Sequence, residues 1–130
     1  MLEQKLKWPS YYPCNCPPDV EGRELTVYRF ANKKTITEKD FKPKKVLKPE
    51  ELFEDDCKAC GLSVYTDKQE IQQQHKDRPH LRRKQIMEIL ITKGTGRVKD
   101  TPTNGNSHHT WWVDEDTNPI IIAKIMEGEE

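Results

Sequence analysis

The sequence predicts a single small α+β domain, with a mixed or antiparallel sheet of about five strands and one or two short helices. The chain of 130 residues has room for one modest hydrophobic core. Short segments rich in β-branched and aromatic residues alternate with turns rich in Gly, Pro and Asn. The formal net charge is zero, from 22 basic and 22 acidic residues. We therefore expect a compact core that carries long polar loops.

The N-terminal segment, residues 1–22, is expected to form an arm that packs on the domain made by residues 23–130. The arm contains four Pro, several aromatic residues and two Cys, and Pro at this density excludes a long helix. The first strand is predicted over residues 24–30, where the sequence ELTVYRF is rich in β-formers. Its alternation places Leu25, Val27 and Arg29 on one face.

The next elements are predicted to be short. Residues 37–40 are expected to form a helical turn, residues 42–45 (KPKK) a loop, and residues 48–53 the start of a helix, because Pro and acidic residues are favoured there. A strand is predicted at residues 62–65. Asp67 and Glu70 have the spacing of a capping box and predict a helix to about His75, before Pro79.

The C-terminal half is predicted to supply most of the sheet. Residues 85–92 (QIMEILIT) form the most apolar segment and predict a central strand. Residues 94–96 carry two Gly and predict a bend, and residues 100–107 (DTPTNGNS) predict a loop or hairpin tip. Two further strands are predicted at residues 108–113 and 119–126.

The four cysteines form two close pairs, Cys14-x-Cys16 and Cys57-x-x-Cys60. Two such pairs are a common source of four thiolates for a tetrahedral zinc ion, so the sequence predicts a structural zinc site. A site of this kind would stabilise a small core. Disulfides are the alternative that an oxidising compartment would favour. A redox dithiol is disfavoured by the acidic residues before Cys57, and four packed cysteines with no shared ligand are the remaining alternative.

The hexapeptide at residues 107–112 (SHHTWW) gathers two His and two Trp directly after a predicted loop. In a strand, His108 and Trp112 lie on one face while His109 and Trp111 lie on the other. An imidazole beside an indole suits stacking on a nucleobase, a nicotinamide or a partner's side chain. We expect this cluster to contribute to a binding site, and the alternative is core Trp residues beside hydrogen-bonded His residues.

Two further features concern charge. Residues 76–84 (KDRPHLRRK) form a local basic stretch that either attracts phosphate or is a solvated surface balanced by the acidic residues 127–130. Arg29 lies inside an apolar strand, where an unpaired guanidinium is costly. It is expected either to line a cleft and bind an anion or to form a buried pair with an acid such as Glu88.

Two segments, Val27-Tyr28-Arg29 and Gly61–Thr66 (GLSVYT) with the helix after it, resemble a known pattern. In the ADP-ribosyltransferase fold, an Arg or His closes the first core strand, and a Ser/Thr-rich strand and a helix follow. The resemblance spans residues 24–129 and implies that Arg29 and Ser63 bind a nicotinamide dinucleotide or another phosphate-bearing ligand. The family's acidic motif is matched in form by Glu127-Gly128-Glu129. The Tyr-Arg, Gly-Leu-Ser and His-His-Thr-Trp-Trp motifs are also similar to those of small uncharacterised bacterial proteins, which implies no activity.

These observations lead to three functional hypotheses. The first is a binding or regulatory module with a polar-aromatic cleft for a phosphate-bearing ligand or a protein partner. The cleft would be formed by Arg29, Ser63, His108, His109, Trp111 and Trp112. The second is a transferase that uses a nicotinamide dinucleotide, and the third is a zinc-stabilised interaction protein. Nucleic acid is not favoured, because the net charge is zero. A cytoplasmic location is expected, because the sequence shows neither a signal peptide nor a membrane span.

Overall fold

The computed structural model describes residues 6–13, 15–102 and 106–126. Within them, six strands form one sheet: β1 (Leu25–Ala31), β2 (Leu62–Tyr65), β3 (Gln85–Ile91), β4 (Gly96–Asp100), β5 (His108–Val113) and β6 (Ala123–Ile125). The order across the sheet is β4-β5-β2-β1-β3-β6, and every neighbouring pair is antiparallel. The helices are α1 (Lys44–Leu47), α2 (Asp56–Ala59) and α3 (Lys68–Asp77). The α+β class is therefore confirmed.

One face of the sheet carries the main hydrophobic core. The alternation of β1 and β3 places Val27 opposite Ile89 on this face, and both side chains are fully buried. Trp111 joins the same core from β5 through its pairing with Leu62 and Val98. Burial of apolar surface contributes about 25 cal/mol per Å². This cluster of nine buried residues therefore stabilises the fold more than the three-residue cluster around Trp112 does.

The opposite face is covered by α3 and by the N-terminal arm. Ile71 of α3 is fully buried, and the His75 ring stacks on Phe30 with 6.3 Å between ring centroids. The arm packs Trp8 and Tyr12 around Trp112 of β5. Its backbone is also bonded to the turn after β5, since Lys7 N donates to Asp114 Oδ1 at 2.6 Å.

Several predicted elements differ from the structure. Residues 48–53 form turns rather than a helix start, and α1 lies instead at Lys44–Leu47, partly inside the predicted KPKK loop. Pro43 is the N-cap residue of α1, so proline stands at the start of a helix here as well, but earlier in the chain than predicted. β4 begins within the predicted bend. The prediction missed this strand because its residues (GRVKD) have too little apolar character to indicate one. Residues 119–122 form a 3₁₀ turn, so β6 is shorter than predicted.

The start of α3 also differs in detail from the predicted capping box. Asp67 caps the helix by accepting from Gln69 N at 2.9 Å. Glu70 instead turns to the loop before β5, where its Oε1 accepts from the Ser107 backbone N at 3.0 Å and from the Ser107 hydroxyl at 2.8 Å. The helix therefore holds the start of β5 in place. In the described part of the chain, no helix has the length and apolar character needed to cross a membrane.

Candidate functional site: a basic cleft between two strands

The candidate site lies where β1 and β2 diverge. These two strands share one register pair, Tyr28 with Tyr65, whereas β1 and β3 are paired along their full length. Beyond that pair, the Arg29 guanidinium reaches from β1 to β2. Its Nη1 donates to the Ser63 backbone O at 2.8 Å, and its Nε donates to the Asp40 backbone O at 2.9 Å. A side chain therefore links the two strands in place of a backbone ladder.

The surroundings of Arg29 explain why a charged residue is tolerated within an apolar strand. Burial lowers the pKa of the Arg29 guanidinium to about 10, while the Asp40 carboxylate acts in the opposite direction. Asp40 is itself buried and is held by two backbone donors, Asn32 N and Thr37 N, each at 2.9 Å. Arg29 thus stays protonated at neutral pH. The predicted pairing with Glu88 is not observed, because Glu88 forms an ion pair with Lys124 at 3.5 Å.

A cleft of about 1060 Å³ opens beside this guanidinium, and we call it the basic cleft. It is as large as the pockets that hold small-molecule ligands. Its walls come from β2, β5, α2 and the segment that leads into α1. Of the predicted site residues, the structure brings together Arg29, Ser63 and His108, with Thr110 beside them. Ser63 is exposed and lies opposite Thr110 in the sheet, so its hydroxyl is accessible to a ligand.

Three lysines that the sequence analysis did not select also line the basic cleft. They are Lys42, Lys44 and Lys58, and none of them forms an ion pair within the described ranges. The KPKK segment, which contains Lys42 and Lys44, indicated a loop rather than a site, and no sequence signal pointed to Lys58. Their convergence depends on the fold, because α2 brings Lys58 to the same wall as the segment before α1.

The same cleft contains three acidic residues, and two of them already have partners. Asp55 caps α2 by accepting from Lys58 N at 3.0 Å, and Asp56 pairs with Lys45 at 3.2 Å. Glu54 is the third. Four cationic side chains in the lining, counting Arg29, face three carboxylates, and Asp56 is already neutralised by Lys45, so the lining has a net positive charge. The electrostatic balance favours an anionic ligand.

The positive charges of the basic cleft also affect the pKa of His108. Burial lowers the pKa of its imidazole below the ordinary value, and the charges of Lys58, His109 and Lys44 lower it further, while the hydrogen bond to Thr101 O opposes them. The Nδ1 atom lies 2.7 Å from Thr101 O, which makes Nδ1 the protonated nitrogen. Nε2 is then the nitrogen left to a ligand.

The predicted stacking role of the tryptophans is wrong. Trp111 and Trp112 are 0% and 2% exposed, so neither indole presents a face to a ligand. Trp111 belongs to the main core, and Trp112 donates from Nε1 to the Cys57 backbone O at 2.7 Å. His109 is also buried, with its Nδ1 2.8 Å from Ser107 O, and it does not line the basic cleft. The predicted alternation of the two faces holds, but both faces of this strand are covered.

The cysteines are arranged differently from the predicted zinc site. Cys16 and Cys57 form a disulfide, which was the alternative to zinc ligation, because the arm folds back over Trp112 and brings Cys16 to α2. Cys60 is free and buried, and burial raises the pKa of its thiol. Cys14 lies outside the described residues. No group of three or more His, Cys, Asp or Glu within those residues is placed to hold a metal. A zinc site on all four cysteines stays a prediction that requires the disulfide to be reduced.

Glu88 does not line the basic cleft. Glu88 lies on β3 in its ion pair with Lys124, and Glu127 and Glu129 lie outside the described residues. A transferase of the resembled type needs an acidic side chain beside the bound dinucleotide. The resemblance to the ADP-ribosyltransferase fold therefore stays a prediction.

Comparison with known proteins adds no relative. No protein-family model, curated protein or solved structure matches this chain.

Proposed function

We propose that the protein is a binding module that takes a phosphate-bearing small molecule in the basic cleft. The observation that carries the proposal is the convergence of three lysines without described ion pairs on a cleft that Arg29 also lines. Phosphate oxygens are strong acceptors, and both ammonium and guanidinium donors bind them well.

Each group has a distinct role in this proposal. The Nη1 and Nε atoms of Arg29 each donate a hydrogen bond to a backbone carbonyl, which fixes the plane of the guanidinium. The remaining N–H groups are left for the ligand. Lys44 of α1 and Lys58 of α2 supply mobile positive charge. The Ser63 hydroxyl supplies a neutral donor. The Arg29 donor is rigid and the lysine donors are flexible, and all of them recognise phosphate oxygens. The cleft therefore selects for a phosphate ester and not for a particular carbon skeleton.

His108 couples binding to protonation. The lysine charges lower its pKa in the free protein, and a bound phosphate would offset those charges and raise that pKa. His108 should therefore take up protons on binding at mildly acidic pH, and this contribution should increase affinity as the pH falls. Because a phosphate group also titrates at about pH 6, the part of the proton uptake that is lost in His108→Gln is what distinguishes a ligand in the basic cleft from an anion bound elsewhere.

The experiment is isothermal titration calorimetry with pyrophosphate and with ADP as probes. We expect the Lys58→Ala and Lys44→Ala variants to bind about tenfold more weakly, since each loses a charge-assisted hydrogen bond of about 1.5 kcal/mol. Lys33→Ala is the matched control, because Lys33 is exposed in a turn outside the basic cleft. Repeating the titration in buffers of different ionisation enthalpy measures the proton uptake.

Two results would contradict the proposal. One is the absence of binding by both probes at millimolar concentration. The other is equal affinity of the Lys58→Ala, Lys33→Ala and unmodified proteins, which would place any bound anion outside the basic cleft. Circular dichroism of each variant shows whether the fold is retained, so that a loss of binding is not confused with unfolding.

A further inference from the structure

A second cationic surface lies at the end of α3, away from the residues that line the basic cleft. Residues 76–84 contain five Lys or Arg and one acidic residue, in a chain whose formal net charge is zero. Lys76, Arg78, Arg82 and Arg83 are exposed and Lys84 is half-buried. We call these five residues the basic ridge. Within the described ranges, none of them forms an ion pair.

The fold keeps the basic ridge in a defined shape. Arg82 donates from Nε and Nη2 to the Lys76 backbone O, at 3.1 and 3.0 Å, which ties the turn after α3 back to the helix. Lys84 Nζ donates to Asn32 Oδ1 at 2.7 Å. Arg78 and Arg83 have no described side-chain hydrogen bond, so their guanidinium groups are available to a partner. Five cations against one acid, Asp77, within residues 76–84 favour a polyanion.

A pocket of about 400 Å³ adjoins the basic ridge. Ile86 and Met126 form its apolar lining, and Gln72 and Gln85 contribute amide groups. The His75 imidazole in the same wall is held in place by its contact with Lys84 O at 2.9 Å. An apolar lining with nearby amides suits a flat heterocycle, because amides can pair with the polar edge of a base while apolar side chains cover its face.

We propose that the basic ridge binds the phosphodiester backbone of a single-stranded nucleic acid, with one unpaired base in the adjoining pocket. The pocket is what separates this partner from other polyanions. An apolar side chain of an acidic peptide could cover the apolar lining but would leave the Gln72 and Gln85 amides unpaired. A lipid surface lacks an anchor here, since Leu81, the one large apolar side chain in residues 76–84, is buried. A duplex would keep its bases stacked, and only an unstacked base can enter.

The test is fluorescence anisotropy with labelled single-stranded RNA and DNA oligonucleotides, titrated between about 50 and about 200 mM NaCl. We expect binding that weakens steeply with salt. Arg83→Ala and Arg78→Ala should each weaken binding severalfold and reduce the salt slope by about 0.7, the value for one phosphate contact on a single strand. Arg83→Lys keeps the charge and should retain most of the affinity.

Controls separate this surface from the basic cleft and from simple charge attraction. Lys39→Ala should leave oligonucleotide affinity unchanged, because Lys39 is exposed and belongs to neither the basic ridge nor the basic cleft. Inorganic polyphosphate of equal charge should bind more weakly than the oligonucleotide, and Gln72→Ala should reduce that difference.

Three results would overturn the proposal. They are no oligonucleotide binding at the lower salt concentration, unchanged affinity in both Arg78→Ala and Arg83→Ala, and polyphosphate affinity equal to that of the oligonucleotide. Phosphatidylserine vesicles that bind as tightly and displace the oligonucleotide would also overturn it, in favour of a membrane surface. None of these results bears on pyrophosphate binding in the basic cleft.

Discussion

Replacing Arg29 tests the link between the two diverging strands. In the structure, its guanidinium donates to Ser63 O at 2.8 Å and to Asp40 O at 2.9 Å. Arg29→Met keeps a side chain of similar length and removes both donors, so the two carbonyls lose their partners. The strands β1 and β2 share only one register pair, so few other contacts hold these two strands together.

The magnitude follows from two opposing contributions. A hydrogen bond from a charged donor contributes about 1.5 to 3 kcal/mol, so two of them contribute roughly 3 to 6 kcal/mol. The desolvation cost of the guanidinium, which also lowers its pKa, offsets about half of that gain. We therefore expect Arg29→Met to lower the free energy of unfolding by about 2 kcal/mol. Arg29→Lys should cost about half as much, because an ammonium on a flexible stem cannot match the fork geometry.

The assay is equilibrium unfolding in urea, followed by intrinsic tryptophan fluorescence. It suits this protein because Trp111 and Trp112 are buried and become solvated on unfolding. Arg83→Met is the matched control, since it makes the same replacement at an exposed arginine, and its effect should stay within about 0.5 kcal/mol. An Arg29→Met protein as stable as this control, within the same margin, would refute the structural role.

Pyrophosphate binding by the same variants separates the two roles proposed for Arg29. If the guanidinium only bound an anion, Arg29→Met would weaken binding and leave stability unchanged. If it only joined the strands, the variant would lose stability, and Arg29→Lys would bind pyrophosphate normally once folded. We expect both stability and affinity to fall, since the guanidinium contacts backbone carbonyls and lines the basic cleft at the same time.

Three further predictions concern the arm, a turn and a histidine. Serine at both Cys16 and Cys57 should lower the free energy of unfolding by about 4 kcal/mol in urea titrations, because the disulfide closes a long loop. Gly96→Ala should destabilise by about 3 kcal/mol in the same assay, because Gly96 has φ +139° and a Cβ would meet Trp112 O. Stability should fall as the pH drops from about 7.5 to about 5, because burial lowers the pKa of His108 below its value of about 6.5 in the unfolded chain, which then binds more protons.

Each of these three has its own control. Reduced unmodified protein should match the double serine variant, and equal stability of the reduced and oxidised forms would contradict the disulfide prediction. Gly94→Ala is the control for the turn, since Gly94 lacks a positive φ, and an equal effect at both glycines would remove the conformational argument. His108→Gln should flatten the pH dependence between about 7.5 and about 5, and an unchanged slope would assign it to other groups.

The sequence by itself determined the elements whose signals are local. The alternation in β1, β2 and β5 and the breaker after α3 depend on neighbours within a few residues, so these elements lie close to their predicted positions. Arg29 was recognisable as exceptional for the same reason, because a guanidinium within an apolar strand must find partners wherever the chain goes. β4 and α1 were missed because their short segments carry almost no apolar pattern.

Only the tertiary structure decided which distant groups meet. Arg29 bonds a carbonyl 34 residues away, and Cys16 bonds a cysteine 41 residues away. The sequence could not show that β2 would pair with β5 and bury Trp111 and Trp112 on opposite faces, since a strand's alternation does not say whether one face or both are covered. The proximity of Lys58 to the segment before α1 likewise depends on the path of the chain. The sequence around an exposed lysine does not predict which distant residues lie beside it.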